Sequence, residues 1–269
     1  MLIIRDLQRN EIEKVRNFPP EEWQLNIVDF LKNNYQYPFF QTIVAELDGE
    51  LAGIGNIFIH EKTAWLGNII VQQNFRGNGM GTAITEKLIN IGKHNNCESI
   101  LLTATELGEK IYRKLGFKVS SYYEFYRNGK VNCDVISKNI ISNSLEYNSL
   151  EKIDEKVTGE KRSAFLKNYF NKNFLYRNSD TKEVEGFYLP TCGKGLIIAG
   201  NDAAGIELLK IKCKEDGFTI VIPEQNESAR KFLLENRYEL YRKAPRMYLG
   251  SERNWKPELV FSRGSGYAG

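Results

Sequence analysis

Apolar and polar positions along the first half of the chain repeat with two periods, and the switches between them mark the elements. Leu2–Asp6 reads as a short strand. Pro19-Pro20-Glu21-Glu22 makes a helix start, with proline near the first turn and acids facing the positive end of the dipole. Trp23, Ile27, Phe30 and Leu31 follow at helical spacing. Phe40–Leu47 and residues 51–59 predict strands around Asp48-Gly49, a tight hairpin turn. Residues 64–71 predict another strand, ended by a glycine cluster. Ile84, Leu88 and Ile91 then share one helical face, and residues 100–102 form a short buried strand. Leu107, Ile111 and Leu115 mark a further helix that stops at Gly116, a residue suited to a left-handed cap. Residues 122–126 and 131–136 flank Asn128-Gly129 as a second hairpin. The order predicts an α/β domain, a mixed sheet with helices on both faces.

Residues 137–160 are polar and rich in Asn, Ser and Lys, which reads as a connection running into a helix. The boundary is set there, giving domains 1–138 and 139–269. The second half repeats the first in outline: residues 185–190 and 195–199 are strand-like, 206–211 helical, 218–222 a strand and 229–234 a helix. Residues 100–117 align with 220–238, setting Thr105 on Asn226, Tyr112 on Leu233, Gly116 on Arg237 and Phe117 on Tyr238. The shared spacings favour a diverged duplication.

Composition narrows the class. A chain of 269 residues suits two domains. With 42% hydrophobic and 26% charged residues it can build cores, which excludes disorder and collagen-like repeats. A net charge of +3 is too small for a protein whose task is neutralising nucleic-acid phosphates. No apolar run approaches the ~20 residues of a membrane span, and the first residues are too short a stretch for a signal peptide. Cys97, Cys133, Cys192 and Cys213 lack metal-clip spacing, and there are two histidines, His60 and His94. A cytoplasmic protein without a metal is the expectation.

The most informative stretch is Gln72-Gln73-Asn74-Phe75-Arg76-Gly77-Asn78-Gly79-Met80-Gly81-Thr82. Three glycines alternate directly after an apolar strand and before an amphipathic helix. Glycine lets the backbone approach a ligand closely, and a helix N-terminus offers unpaired N–H donors at the positive end of its dipole, which suits a pyrophosphate. Arg76 and Thr82 add a charge and a hydroxyl. No Lys precedes Thr82, so the nucleotide P-loop does not fit, and the Gly-x-Gly-x-Gly spacing differs from the dinucleotide fingerprint. The equivalent segment of the second half, Gly200 to Gly205, lacks Arg and brings Asp202, which would repel phosphate.

Arg76-Gly77-Asn78-Gly79-Met80-Gly81 resembles the Arg/Gln-x-x-Gly-x-Gly/Ala loop of the GNAT acetyltransferase superfamily. Ile111-Tyr112-Arg113-Lys114-Leu115-Gly116-Phe117 resembles that family's aromatic motif, in the expected order and spacing. Trp65-Leu66-Gly67-Asn68 and residues 103–108 are similar to bacterial members with a second, GNAT-like C-terminal domain. The resemblance implies two GNAT-like domains in tandem, each a mixed, mainly antiparallel sheet flanked by helices. It further implies an acetyl-coenzyme A-dependent N-acetyltransferase, acetyl-CoA being a cosubstrate and the acyl group passing directly to an amine.

By that resemblance, backbone groups of Ile69, Ile70 and Val71 line the pantetheine arm, and Arg76, Gly77, Asn78, Gly79, Met80, Gly81 and Thr82 hold the pyrophosphate. Thr105, where many relatives carry Asn, bonds the cofactor, and Tyr112 is the general acid. By position alone Tyr112 is a rim residue of an amphipathic helix. Trp23 by itself reads as a core anchor, but the resemblance puts its helical region at the acceptor site, with Asn68 and Tyr123. No general base is visible: the strand before the loop carries Trp65, Gly67 and Asn68 where relatives often place Glu. That absence, with the degenerate second half, supports an alternative, a non-catalytic acetyl-CoA-binding regulatory module. Expected partners are a small-molecule or peptide amine, with no nucleic acid or membrane; the chain is a monomer or homodimer.

Overall fold

The computed structural model describes residues 1–131, 137–214 and 219–267. The chain divides into two compact units, Met1–Lys118 with Met247–Ser251, and Val119–Arg246 with Glu252–Gly269.

The first unit is built on β1 (Leu2–Asp6), β2 (Phe40–Leu47), β3 (Glu50–His60), β4 (Thr63–Val71) and β5 (Ser99–Thr103), adjacent in that order. β1 to β4 are antiparallel neighbours, and β4 and β5 are parallel. The β2–β3 turn needs left-handed backbone at Asp48 (φ 50°) and Gly49 (φ 89°), which Asp and Gly supply at low cost. Helices α1 (Ile27–Asn34), α2 (Met80–His94) and α3 (Glu106–Lys114) complete the unit with the chain segment Met247–Ser251, whose Ser251 N–H donates to the Glu98 carbonyl at 2.8 Å.

Two glycines set how close α2 lies to the sheet. A Cβ at Gly53 would stand 2.9 Å from Ile84 Cδ1, and one at Gly55 would stand 2.5 Å from Ile84 Cγ2. Ile84 and Leu88 therefore sink into β3, fully buried, and fix α2 with its first turn at the end of β4.

The second unit holds β6 (Lys118–Arg127, from Val119), β7 (Ile140–Ser142), β8 (Phe174–Arg177), β9 (Val184–Leu189), β10 (Leu196–Ala199), β11 (Ile220–Pro223), β12 (Glu239–Gly250, to Arg246) and β13 (Val260–Ser262). β13, β10, β9, β8 and β7 form one sheet in that order; β12, β6 and β11 are neighbours in the other. Helices α4 (Tyr147–Thr158), α5 (Ser163–Lys167), α6 (Asp202–Lys212) and α7 (Glu227–Glu235) pack around them. One core joins Tyr126, Ile220 and Ile222 to Leu208 and Leu209 of α6, Leu233 of α7 and Phe261. The opposite face of β6 and β11 carries Tyr123, Phe125 and Val221, with Ala244 of β12.

The aligned repeat holds at the level of capping. Thr105 and Asn226 are the N-caps of α3 and α7, accepting from the Gly108 and Ala229 amides at 3.2 and 2.8 Å. Gly116 and Arg237 both take left-handed backbone after these helices, and Phe117 and Tyr238 each donate back to the fifth residue before, Tyr112 and Leu233.

Three local expectations change. The helix expected from Pro19 is a 3-10 turn at Glu21–Trp23, ended by left-handed Gln24 (φ 49°); α1 begins afresh at Ile27 under an Asn26 cap. Trp23, on that turn, is half-buried and not a core anchor. On α3 the expected stripe is turned: Leu107 is 76% exposed and Tyr112 is the buried residue. Of the second hairpin, residues 132–136 lie outside the described residues, as does Phe218 of the expected strand 218–222.

Candidate active site

In the first unit the site begins where β4 stops being an ordinary strand. Its parallel ladder with β5 runs from Thr63/Ser99 to Trp65/Leu101 and goes no further, while its ladder with β3 continues to Val71. Residues 66–71 are thus paired along one edge, and the groups on the other edge are open to a ligand. Within this stretch β3 and β4 slip register: Ile54 faces Ile70 but Asn56 faces Gly67, so Asn68 and Ile69 bulge opposite one residue of β3. Asn68 takes a left-handed φ of 49°, and its buried Nδ2 has no hydrogen-bond partner.

Beyond Val71 the chain turns through residues 73–75 into the glycine loop. Gly77 (φ 86°) and Gly79 (φ 75°) are both left-handed, and no atom stands within 4 Å of where a Cβ would project. Gly79 is the N-cap of α2 and offers no side chain to it. The first amides of a helix have no acceptor of their own, so those of Met80, Gly81 and Thr82 are left for a ligand. Arg76 is exposed, its Nε donating to the Val71 carbonyl at 3.1 Å, which ties the guanidinium to the strand end. Asn78 Nδ2 braces the loop on the Phe75 carbonyl at 3.3 Å.

The matching corner of the second unit is chemically different. Asn201 caps α6 with its side chain, accepting from the Ala204 amide at 2.9 Å, and Asp202 follows at once. A carboxamide fills the place that an anion would take.

Tyr112 sits on the last turns of α3, 8% exposed, its ring folded back over the helix start. A Cβ on Gly108 would stand 2.8 Å from Tyr112 Cε2 and 3.1 Å from its hydroxyl. Only glycine admits the ring there, and a glycine four residues before a tyrosine inside a helix is the sequence signal of this packing. Phe117 supports the ring at a centroid distance of 5.9 Å. Burial pushes the phenol up to about 12. Thr105 Oγ1 accepts the cap bond, leaving its hydroxyl proton for another partner.

The structure places Ile69, Ile70, Val71, residues 76–82, Asn68, Thr105 and Tyr112 in the first unit, with Trp23 on the turn before α1. Tyr123 belongs to the second unit. His60 is buried between Phe39 and Phe58 at the far end of β3 from the Gly53 and Gly55 contacts. Among the described residues no group of three or more His, Cys, Asp and Glu could hold a metal, and no helix is long and apolar enough to cross a membrane. The open strand edge, the orphaned Asn68 amide and the uncapped glycine corner fit a coenzyme with an amide-bearing arm and a diphosphate.

A strand with a bulge, a glycine turn into an uncapped helix and a buried tyrosine on the next helix thus fall within one unit of the chain. Residues 6–117 match the family model described as "Acetyltransferase (GNAT) family", and residues 150–262 match that of an "Acetyltransferase (GNAT) domain". The chain belongs to the GNAT acetyltransferase family, as two such domains in tandem. Its fold resembles that of a Pyrococcus horikoshii protein assigned as an acetyltransferase, at 23% identity over 100% of this chain and 96% of that one, with a TM-score of 0.86. A tandem GNAT protein from the clavulanic acid biosynthesis pathway aligns over 94% of this chain and 100% of its own, at 12% identity and a TM-score of 0.60. A GCN5-related N-acetyltransferase from Anabaena variabilis aligns over 92% and 72%, at 10% identity and 0.63.

Proposed function

We propose that the chain is an acetyl-CoA-dependent N-acetyltransferase with one coenzyme site, in its first unit. The observation that carries this reading is the uncapped α2 N-terminus behind left-handed Gly77 and Gly79, at the end of a strand whose outer edge is unpaired. The amides of residues 76–82 and the Arg76 charge take the diphosphate. The open edge of Ile69, Ile70 and Val71 pairs with the amides of the coenzyme arm, as one strand would with another.

The bound thioester supplies an activated acetyl group. As the amine nitrogen bonds to the carbonyl carbon, the carbon–sulfur bond breaks and its electron pair goes to sulfur. Tyr112 stabilises the departing sulfur by donating a hydrogen bond. With the phenol near 12 and an ordinary thiol near ~8.5, full proton transfer to sulfur is uphill. Charge stabilisation is therefore the main contribution of Tyr112, and solvent completes the protonation. Asn68 Nδ2 offers a hydrogen bond to the acceptor. β4 carries no carboxylate between Trp65 and Val71, so the amine enters neutral or gives its proton to water.

Tyr112→Phe tests the reading: kcat falls about 10²-fold with the KM for acetyl-CoA nearly unchanged, and an unchanged kcat removes Tyr112 from the mechanism. The missing strand carboxylate also favours a second reading, a regulatory module that binds acetyl-CoA without transferring the acetyl group. Tight binding with no transfer across a panel of amines would select it.

A further inference from the structure

The first unit keeps a buried polar pair inside its sheet. Asn56 of β3 stands in register between Thr42 of β2 and Gly67 of β4. Thr42 is 5% exposed and Asn56 0%, and the Thr42 hydroxyl donates to Asn56 Oδ1 at 2.7 Å. That bond turns the amide oxygen toward β2 and leaves Nδ2 on the side of β4. There the buried Nδ2 has no hydrogen-bond partner, and the residue abreast of it, Gly67, has no side chain to supply one.

Alternation along β3 fixes the face. A Cβ at Gly55 would meet Ile84 and Leu88 of α2 at 2.5 and 3.0 Å, so the Asn56 side chain projects from the opposite face. Phe58, two residues on, meets Phe30 of α1 there at a centroid distance of 6.1 Å. Ile54, Phe58 and Trp65, which share that face by alternation and register, are apolar and fully buried. An amide in such surroundings costs free energy unless its groups are bonded. Thr42 satisfies the oxygen, and the donor is held back. It points toward the chemistry: Gly67 lies between Trp65, where β5 leaves β4, and Asn68 of the bulge. Gly67 is partly exposed, so its free edge gives a ligand a way to the donor.

We propose that Asn56 selects the acceptor, its Nδ2 donating to an uncharged oxygen that the amine carries close to its nitrogen, as in an α-amino amide. This assignment names the substrate class of the acetyl transfer proposed above and rests on that reading. Thr42 holds the amide in the orientation that presents Nδ2 to β4. Thr42, Asn56 and Gly67 bring no charge, and a carboxylate moved there would lose its hydration against one N–H2 group. The oxygen is therefore that of an amide or a hydroxyl, not of an acid. An alkylamine without such an oxygen leaves Nδ2 unmet and is the poorer acceptor.

The test is steady-state acetylation, by the full chain, of glycinamide and of isobutylamine, which has nearly the same shape but no oxygen. Wild type is compared with Asn56→Leu and with the double variant Thr42→Val/Asn56→Leu. The ratio of kcat/KM for glycinamide to that for isobutylamine is read within each protein. Its change between proteins is free of the difference between the two amines' own pKa values. The ratio is expected to fall about ten-fold or more in both variants. The double variant removes donor and acceptor together and keeps the apolar shape, so its melting temperature stays within a few degrees of wild type. It therefore carries the test if Asn56→Leu alone fails to fold. A ratio unchanged in the double variant overturns the assignment, since Nδ2 then meets only a trapped water. An equal fall for both amines, the mark of a purely structural pair, overturns it as well. Acetyl-CoA binding with no transfer to any amine by the wild type removes the acetyl-transfer reading, and this assignment with it.

Discussion

The Tyr112 phenol and Gly108 are one device at the residue scale: the ring occupies the volume that any side chain at 108 would need. Gly108→Ala therefore displaces the hydroxyl while leaving the coenzyme loop untouched. The expected outcome is a drop in kcat of about ten-fold or more with acetyl-CoA binding retained, read from steady-state kinetics beside calorimetry. The pH profile follows from burial. A phenol near 12 keeps its proton throughout the range in which ordinary amines deprotonate. The rate should rise with pH as the acceptor loses its proton and show no descending limb from this group below about pH 11. A descending limb near pH 9 that disappears in Tyr112→Phe would contradict the assignment.

At the scale of elements, α2 is aimed by what β3 lacks. Gly55→Ala would put a Cβ 2.5 Å from Ile84; overpacking of that kind costs roughly 1–3 kcal/mol. Thermal melts should show the loss, with weaker acetyl-CoA binding because the helix start moves away from β4. The turn after β1 carries a charge-dependent contribution. Arg5 forks onto Glu11 at 2.7 and 2.9 Å and holds its carboxyl down to about 2. A carboxyl depressed in the folded state stabilises the fold above its ordinary pKa, and that stability is lost as the pH falls through the folded value. Between about pH 5 and pH 2 the melting temperature of the wild type should fall more steeply than that of Glu11→Gln.

Which elements could be read from the sequence follows the same physics. The glycine loop was legible because left-handed backbone and a bare helix start demand glycine at fixed places. The strands β2 to β5 were legible from apolar runs broken by turn residues. The bulge at Asn68 and the parting of β4 from β5 were not, since both depend on which strand lies alongside. The face of α3 was misread because Leu107, Ile111 and Leu115 form a good stripe, whereas packing buries the side that carries Tyr112. β12 was missed because Glu239, Arg242, Lys243 and Arg246 interrupt its apolar alternation, and two of these cations stack on aromatic rings.

On the scale of the whole molecule, two copies of one fold have been given unequal ends. Gly79 leaves α2 bare, while Asn201 and Asp202 close α6 with their own oxygens and charge. Leu233 stands where Tyr112 stands, fully buried and without a proton to share. The asymmetry predicts one coenzyme per chain. The most direct test is calorimetric titration of the full chain with acetyl-CoA, wild type beside Gly79→Asp. Asp tolerates left-handed backbone better than most residues and sets a negative charge beside the bare N-terminus of α2, where it repels a diphosphate. One acetyl-CoA is expected per wild-type chain, with about ten-fold or greater loss of affinity in Gly79→Asp and a melting temperature lowered by only a few degrees. No binding by the wild type, two molecules per chain, or equal affinity in Gly79→Asp would contradict it.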